Sequence, residues 1–84
     1  MYDRWAKTLE RGYTKLVRDV RRNRRTLLDD YGATDPGEFF AVVTETFFEL
    51  PIELRARHRE LYDAMEDYYR QDPAAYIEGS QADY

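Results

Sequence analysis

Two residues of this sequence combine reactive chemistry with a defined local placement. Glu38 stands three residues after Asp35, with Pro36 between them and an apolar run behind it. This spacing is a capping box, in which the first carboxylate accepts the backbone N–H of the third helical residue and the glutamate reaches back. The same position holds a carboxylate rigidly, a ligand type suited to a hard or borderline cation such as zinc. Tyr31, seven residues earlier in a Tyr-Gly loop, is its natural companion. Its phenol could donate a hydrogen bond to the oxyanion of amide hydrolysis, or its ring could anchor the loop on the core. Spacing alone leaves both readings open at both residues.

Other candidates read as structural. Glu45 and Glu49 continue an acidic stripe from Glu38, solvated or paired with arginines of the first helix. Arg18, Arg22 and Arg25 fall on one face of a basic stretch. A phosphate or nucleic-acid role is open to them, but a solvated face that offsets the helix dipole is the favoured reading. His58 reads as a surface or capping residue, and Tyr62, Tyr68, Tyr69 and Tyr76 as packing. One histidine and no cysteine exclude a multi-histidine or thiolate metal site built within these 84 residues.

The elements that position these residues are helical. Trp5, Leu9, Tyr13, Leu16 and Val20 recur every three or four residues, which predicts a helix from about Asp3 to Arg25, with Asp3 capping its start. Gly12 interrupts it, at a cost or for close packing. Residues 29–35 read as an exposed turn-rich loop. Asp35 caps a second helix, Pro36 to Glu49, that is apolar on most sides. Pro51 opens a short helix to Arg57, and a third long helix follows from His58 to Gln71, ended by Asp72-Pro73. One further turn is expected around Ala74 to Ile77. The fold class is therefore all-α, three main helices in a helical segment over 1–78, with a flexible tail over 79–84.

Charge is divided unevenly. Residues 1–28 carry nine basic and three acidic side chains, and residues 29–84 carry four and fourteen. This asymmetry predicts internal ion pairing as readily as an external ligand. A net charge of −4 makes nucleic acid a poor partner. No apolar run approaches the roughly 20 residues that span a bilayer, and the first residues form no signal core. Neither a membrane nor secretion is expected, and the default compartment is cytoplasmic.

The stretch Tyr31-Gly32-Ala33-Thr34-Asp35-Pro36-Gly37-Glu38-Phe39-Phe40-Ala41-Val42 resembles the C-terminal part of the Mlc titration factor A family of bacterial zinc metallopeptidases. The likeness continues through Glu45, Phe47-Phe48-Glu49, Pro51, Leu54, Glu60-Leu61-Tyr62 and Tyr69 to Asp72-Pro73, and a similar signature marks the catalytic domain of anthrax lethal factor. The resemblance implies a zincin-like domain in which an upstream His-Glu-x-x-His helix supplies two zinc ligands and the general base. Glu38 then matches the third zinc ligand and Tyr31 the oxyanion-assisting phenol. Zinc so held lowers the pKa of its water to about 7. The implied partners are a peptide or protein substrate and a Mlc-like repressor.

The sequence departs from that pattern by containing no His-Glu-x-x-His. It is therefore expected to be a portion of such an enzyme, from a truncated coding sequence or a degenerate paralogue, inactive alone and unable to hold zinc tightly. The rival reading is a stand-alone, non-enzymatic helical interaction module. Either way the apolar second helix predicts surplus surface, met by a homodimer or a loosely packed globule.

Overall fold

Apolar residues at helical spacing, punctuated by prolines at helix starts, fold the described residues into five α-helices and one 3-10 turn. The computed structural model describes residues 2–82, and the side chains of residues 5–79. The elements are α1 (Tyr2–Arg21), the 3-10 turn (Asp30–Ala33), α2 (Pro36–Glu49), α3 (Pro51–Arg57), α4 (Arg59–Tyr69) and α5 (Pro73–Ala82). The fold is all-α, and α2 and α3 have the bounds that their prolines predict. The side chain of Asp3, expected to cap α1, lies outside those described.

Helix α1 stops four residues short of the expected Arg25. Asn23 adopts the left-handed conformation, with φ 54°. Its N–H donates to the Val20 carbonyl at 3.1 Å, and the Arg24 N–H donates to the Asp19 carbonyl at 2.9 Å. These two bonds form a Schellman motif, for which asparagine is the usual substitute when glycine is absent. Helix α4 ends at Tyr69 rather than Gln71 because Arg70 is also left-handed, at φ 58°.

Helix α5 is longer than the single turn expected. Pro73 opens it, and the Asp72 carboxylate accepts the Ala75 N–H at 3.3 Å. The Tyr62 hydroxyl accepts the Ala74 N–H at 3.0 Å and donates to the same carboxylate. The first amides of α5 are thereby satisfied, and the helix continues through residues 79–82. Residues 83 and 84 lie outside the described residues.

The core is centred on α2 and α4. Phe39, Val43 and Phe47 of α2 meet Leu61, Tyr62 and Met65 of α4, with Leu54 of α3 and Leu16 of α1 closing the sides. Phe47 packs on Tyr62 with ring centroids 5.0 Å apart, and Trp5 stacks on Tyr68 at 5.3 Å. A Cβ on Gly12 would stand 2.9 Å from Leu61 Cδ2 and 3.0 Å from Phe39 Cζ. Gly12 is thus the close-packing glycine where α1 crosses both core helices. Among the large apolar side chains of α2, only Phe48 is exposed, at 41%, beside Leu50 at 41%. The chain covers most of this helix by itself. No helix among the described residues is long and apolar enough to cross a membrane.

The Tyr62 hydroxyl is the joint between α4 and α5. Burial, and then its hydrogen bond to Asp72, push its pKa up to about 12. Tyr62→Phe leaves the fully buried Ala74 without a partner for its N–H. The expected cost is about 1–3 kcal/mol in urea denaturation at neutral pH. The raised pKa means that the hydroxyl's contribution is intact below the unfolded value near 10 and lost as pH climbs toward 12. The gap between wild type and variant should close over that window.

Candidate functional site

The segment joining α1 to α2 is anchored by its small and aliphatic residues. Leu28 is buried, and Thr26 Oγ1 donates to its carbonyl at 2.7 Å. The Asp29 carboxylate then accepts the Tyr31 N–H at 2.9 Å, and the Asp29 carbonyl accepts the Gly32 N–H at 2.9 Å. These bonds wind the 3-10 turn. Gly32 is buried at its centre with an ordinary backbone conformation, so space is what requires glycine there. An added Cβ would lie 3.0 Å from Leu16 Cδ2 and 3.3 Å from Val42 Cβ. With Gly32 pressed between α1 and α2, Tyr31 is directed outward and is 52% exposed. Its ring is therefore not the anchor of the loop. Its hydroxyl has no hydrogen-bond partner among the described residues.

Helix α2 starts directly after this turn and packs against it. Asp35 has extended backbone and its carboxylate accepts the Glu38 N–H at 2.9 Å. The Asp35 carbonyl accepts the Phe39 N–H at 2.9 Å. This is the first half of the expected capping box. The reciprocal half does not form: the Glu38 carboxylate has no hydrogen bond and no ion pair among the described residues. It sits half-buried in the first turn of α2, where the helix dipole favours negative charge. The two predicted site residues thus ride on adjacent, mutually packed turns, each with its functional group uncommitted.

A single carboxylate does not make a metal site. Among the described residues no three His, Asp or Glu side chains converge to hold a metal ion. The chain supplies one oxygen donor of the kind that zinc accepts, and by itself it does not fit a complete ligand set.

The other candidates separate. Glu45 and Glu49 are exposed and pair with no arginine among the described residues. His58 is half-buried at the α3–α4 junction, with no side-chain capping bond. Within the basic stretch, Arg24 reaches Asp19 at 3.5 Å, while Arg18, Arg21 and Arg22 line an open surface beside Tyr13. Asp19, which residue type alone did not single out, is only 7% exposed and accepts from Lys15 Nζ at 2.9 Å. That hydrogen bond, with the charges of Arg24 and Arg18, holds its carboxyl below the ordinary range against the effect of burial. Its signal in the sequence was the i, i+4 spacing from Lys15.

The sequence that builds this all-helical frame and its glutamate-bearing turn matches a family of metallopeptidases. Residues 1–70 match the family of glucose-regulated metallo-peptidases M90, and the chain belongs to that family. It is 46% identical over 72 residues to an uncharacterised protein of Synechocystis sp., covering 86% of this chain and 26% of that one. It is also 43% identical over 56 residues to Mlc titration factor A of Serratia proteamaculans, covering 67% of this chain and 21% of the relative. The Pectobacterium atrosepticum protein of the same name is 43% identical over 54 residues, 64% of this chain and 20% of that one. The chain therefore spans about a quarter or less of the length of these relatives. No solved structure matches it.

The unreciprocated cap separates two roles that the sequence left superposed. Asp35→Ala should cost about 1 kcal/mol of stability, the usual loss for an N-cap. Glu38→Gln should cost no more than about 0.5 kcal/mol, the dipole contribution alone. Thermal unfolding of both variants beside wild type measures the difference.

Proposed function

We propose that this chain forms the C-terminal part of a zinc-dependent peptide hydrolase, contributing Glu38 as the third metal ligand and Tyr31 as the oxyanion donor. The observation that carries this reading is the Glu38 carboxylate. The backbone of Glu38 is fixed by a helix start that Asp35 caps alone, and its carboxylate is left with no partner among the described residues. A glutamate serving only the helix would be expected to complete the box. Its position at the N-terminus of α2, where the helix dipole favours negative charge, suits a carboxylate ligand.

Tyr31 is supported by its setting. Gly32 holds the turn down, so the phenol stands at the surface on a backbone fixed by Asp29. A donor placed this way stabilises charge that develops in the transition state without having to move. The remaining ligands and the general base would come from an upstream His-Glu-x-x-His helix of the kind the family resemblance implies. A zinc ion bound by such a set supplies Lewis acidity at the scissile carbonyl. The substrate class is peptides, the compartment is the cytoplasm, and a Mlc-like repressor is the regulatory partner that the relatives' name suggests. Alone, the chain is expected to be inactive.

The test restores the missing part. Residues 1–75 replace the matching segment of Mlc titration factor A from Serratia proteamaculans, and the chimera is assayed for zinc content and peptide hydrolysis. Glu38→Gln should lose both metal and activity. Tyr31→Phe should keep its zinc and lose roughly 10²–10³-fold in kcat, the scale of one oxyanion donor. A Glu38→Gln chimera that retains full zinc would exclude the ligand role.

A further inference from the structure

The basic first third of the chain leaves cations without ion-pair partners among the described residues, and one of them, Arg25, lines a cavity. Among the described residues, Arg11 to Glu60 at 3.2 Å is the only ion pair that joins the basic segment to the acidic one. The segment between α1 and the 3-10 turn, the body of α1 and the α3–α4 junction together line a partly open cavity of about 180 Å³. Lys15, Asp19, Arg25, Arg57 and His58 are its charged or titratable lining. None of its lining residues belongs to the 29–38 stretch, so it is separate from the candidate metal ligand.

Asp19 is already neutralised, because its carboxylate accepts from both Lys15 and Arg24. Arg25 and Arg57 have no ion-pair or hydrogen-bond partner among the described residues. The imidazole of His58 is likewise unbonded, and α4, which starts behind it, has no side-chain cap on its first amides. The cavity continues into a second concavity of about 260 Å³, where Arg11, Arg59 and Glu60 are added. There Arg11 is held by Glu60, and Arg59 is held by Asp63 at 3.1 Å. Arg57 and His58 line both concavities, and Arg25 joins them only in the first.

We propose that this cavity binds a phosphate dianion, either free or as the head group of a small monoester, between Arg25, Arg57 and His58. Arg25 and Arg57, exposed residues from different segments that line one cavity, offer the planar, multidentate donors that phosphate oxygens accept. The volume of about 180 Å³ has room for one such group. The neighbouring concavity, more apolar than polar in its lining and with Arg11 and Arg59 already ion-paired, gives the body of a monoester room to lie.

The field at His58 agrees with this charge count. Burial, followed by the charges of Lys15 and Arg57, lowers its pKa, and Asp19 opposes only weakly. An anion seated beside it would favour the imidazolium and raise that pKa. His58 is the only histidine in the chain, so its ring protons give a single resolved titration by NMR.

The experiment titrates the 84-residue chain with inorganic phosphate and, separately, with glycerol 3-phosphate, at ionic strength held constant with sodium chloride. The expected result is a saturable rise of the His58 pKa by at least half a unit. Tighter binding of the monoester assigns the second concavity to its body, and equal affinity assigns the site to free phosphate. The double variant Arg25→Ala, Arg57→Ala should bind at least tenfold more weakly, with its far-UV circular dichroism unchanged. Arg21→Ala, on the open face of α1, should bind as wild type does. A shift that chloride reproduces, that never saturates, or that survives in the folded double variant overturns the proposal. Should the double variant fail to fold, Arg57→Gln alone, read by the same titration, decides between the outcomes.

Discussion

The absence of a Cβ at Gly12 and Gly32 is the constraint on which the rest of this molecule depends. At Gly12 the backbone of α1 comes close enough to Leu61 and Phe39 to touch both core helices. At Gly32 the connecting turn descends between Leu16 and Val42. Neither glycine needs a left-handed backbone, so each is fixed by volume, in an interior packed too densely to yield space for a methyl group. The second approach has a further effect. A turn pinned at its middle residue must present the residue before it to solvent, and that residue is Tyr31.

Capping divides the labour at the start of α2 in the same economical way. Asp35 satisfies the helix, which frees Glu38 for something else. At the opposite end of α1 the arrangement is reversed, since Asp19 is occupied by Lys15 and Arg24 and is withdrawn from any external role. The acid near the candidate site is uncommitted, and the acid in the basic segment is spent. Net charge does not reveal this distinction, because each carboxylate counts as one whether or not it is engaged.

Much of this could be read from the residues. Pro36 and Pro51 set helix starts that periodicity alone would have blurred, and the Trp5 to Val20 stripe identified the buried face of α1. The ends of α1 and α4 were less legible. They depend on Asn23 and Arg70 entering the left-handed region, a choice that a lone asparagine hints at and an arginine does not. The extent of α5 was hidden because its docking relies on the Tyr62 hydroxyl, ten residues before Asp72, a contact that no local pattern encodes. In the candidate site, Glu38 and Tyr31 were identifiable by spacing, whereas their freedom from partners is a tertiary property. The burial of Gly32 and Asp19 belongs to that same level.

The joint at Tyr62 also sets how the chain can open. Ala74 is fully buried and tied to α4, while Ala75, Tyr76 and Glu78 behind it are exposed, with Arg55 to Glu78 as a second, solvent-facing tie. Helix α5 lies beyond the stretch shared with the M90 family and meets the body through few contacts. Detaching it would break the buried Tyr62 relay, the Arg55–Glu78 tie and the packing of Ala74, while Phe39, Val43, Phe47 and Met65 keep their contacts with one another. Amide hydrogens along this chain therefore exchange with solvent on two levels. Those of α5 follow a sub-global opening, and those of α2 and α4 wait for the whole molecule to unfold.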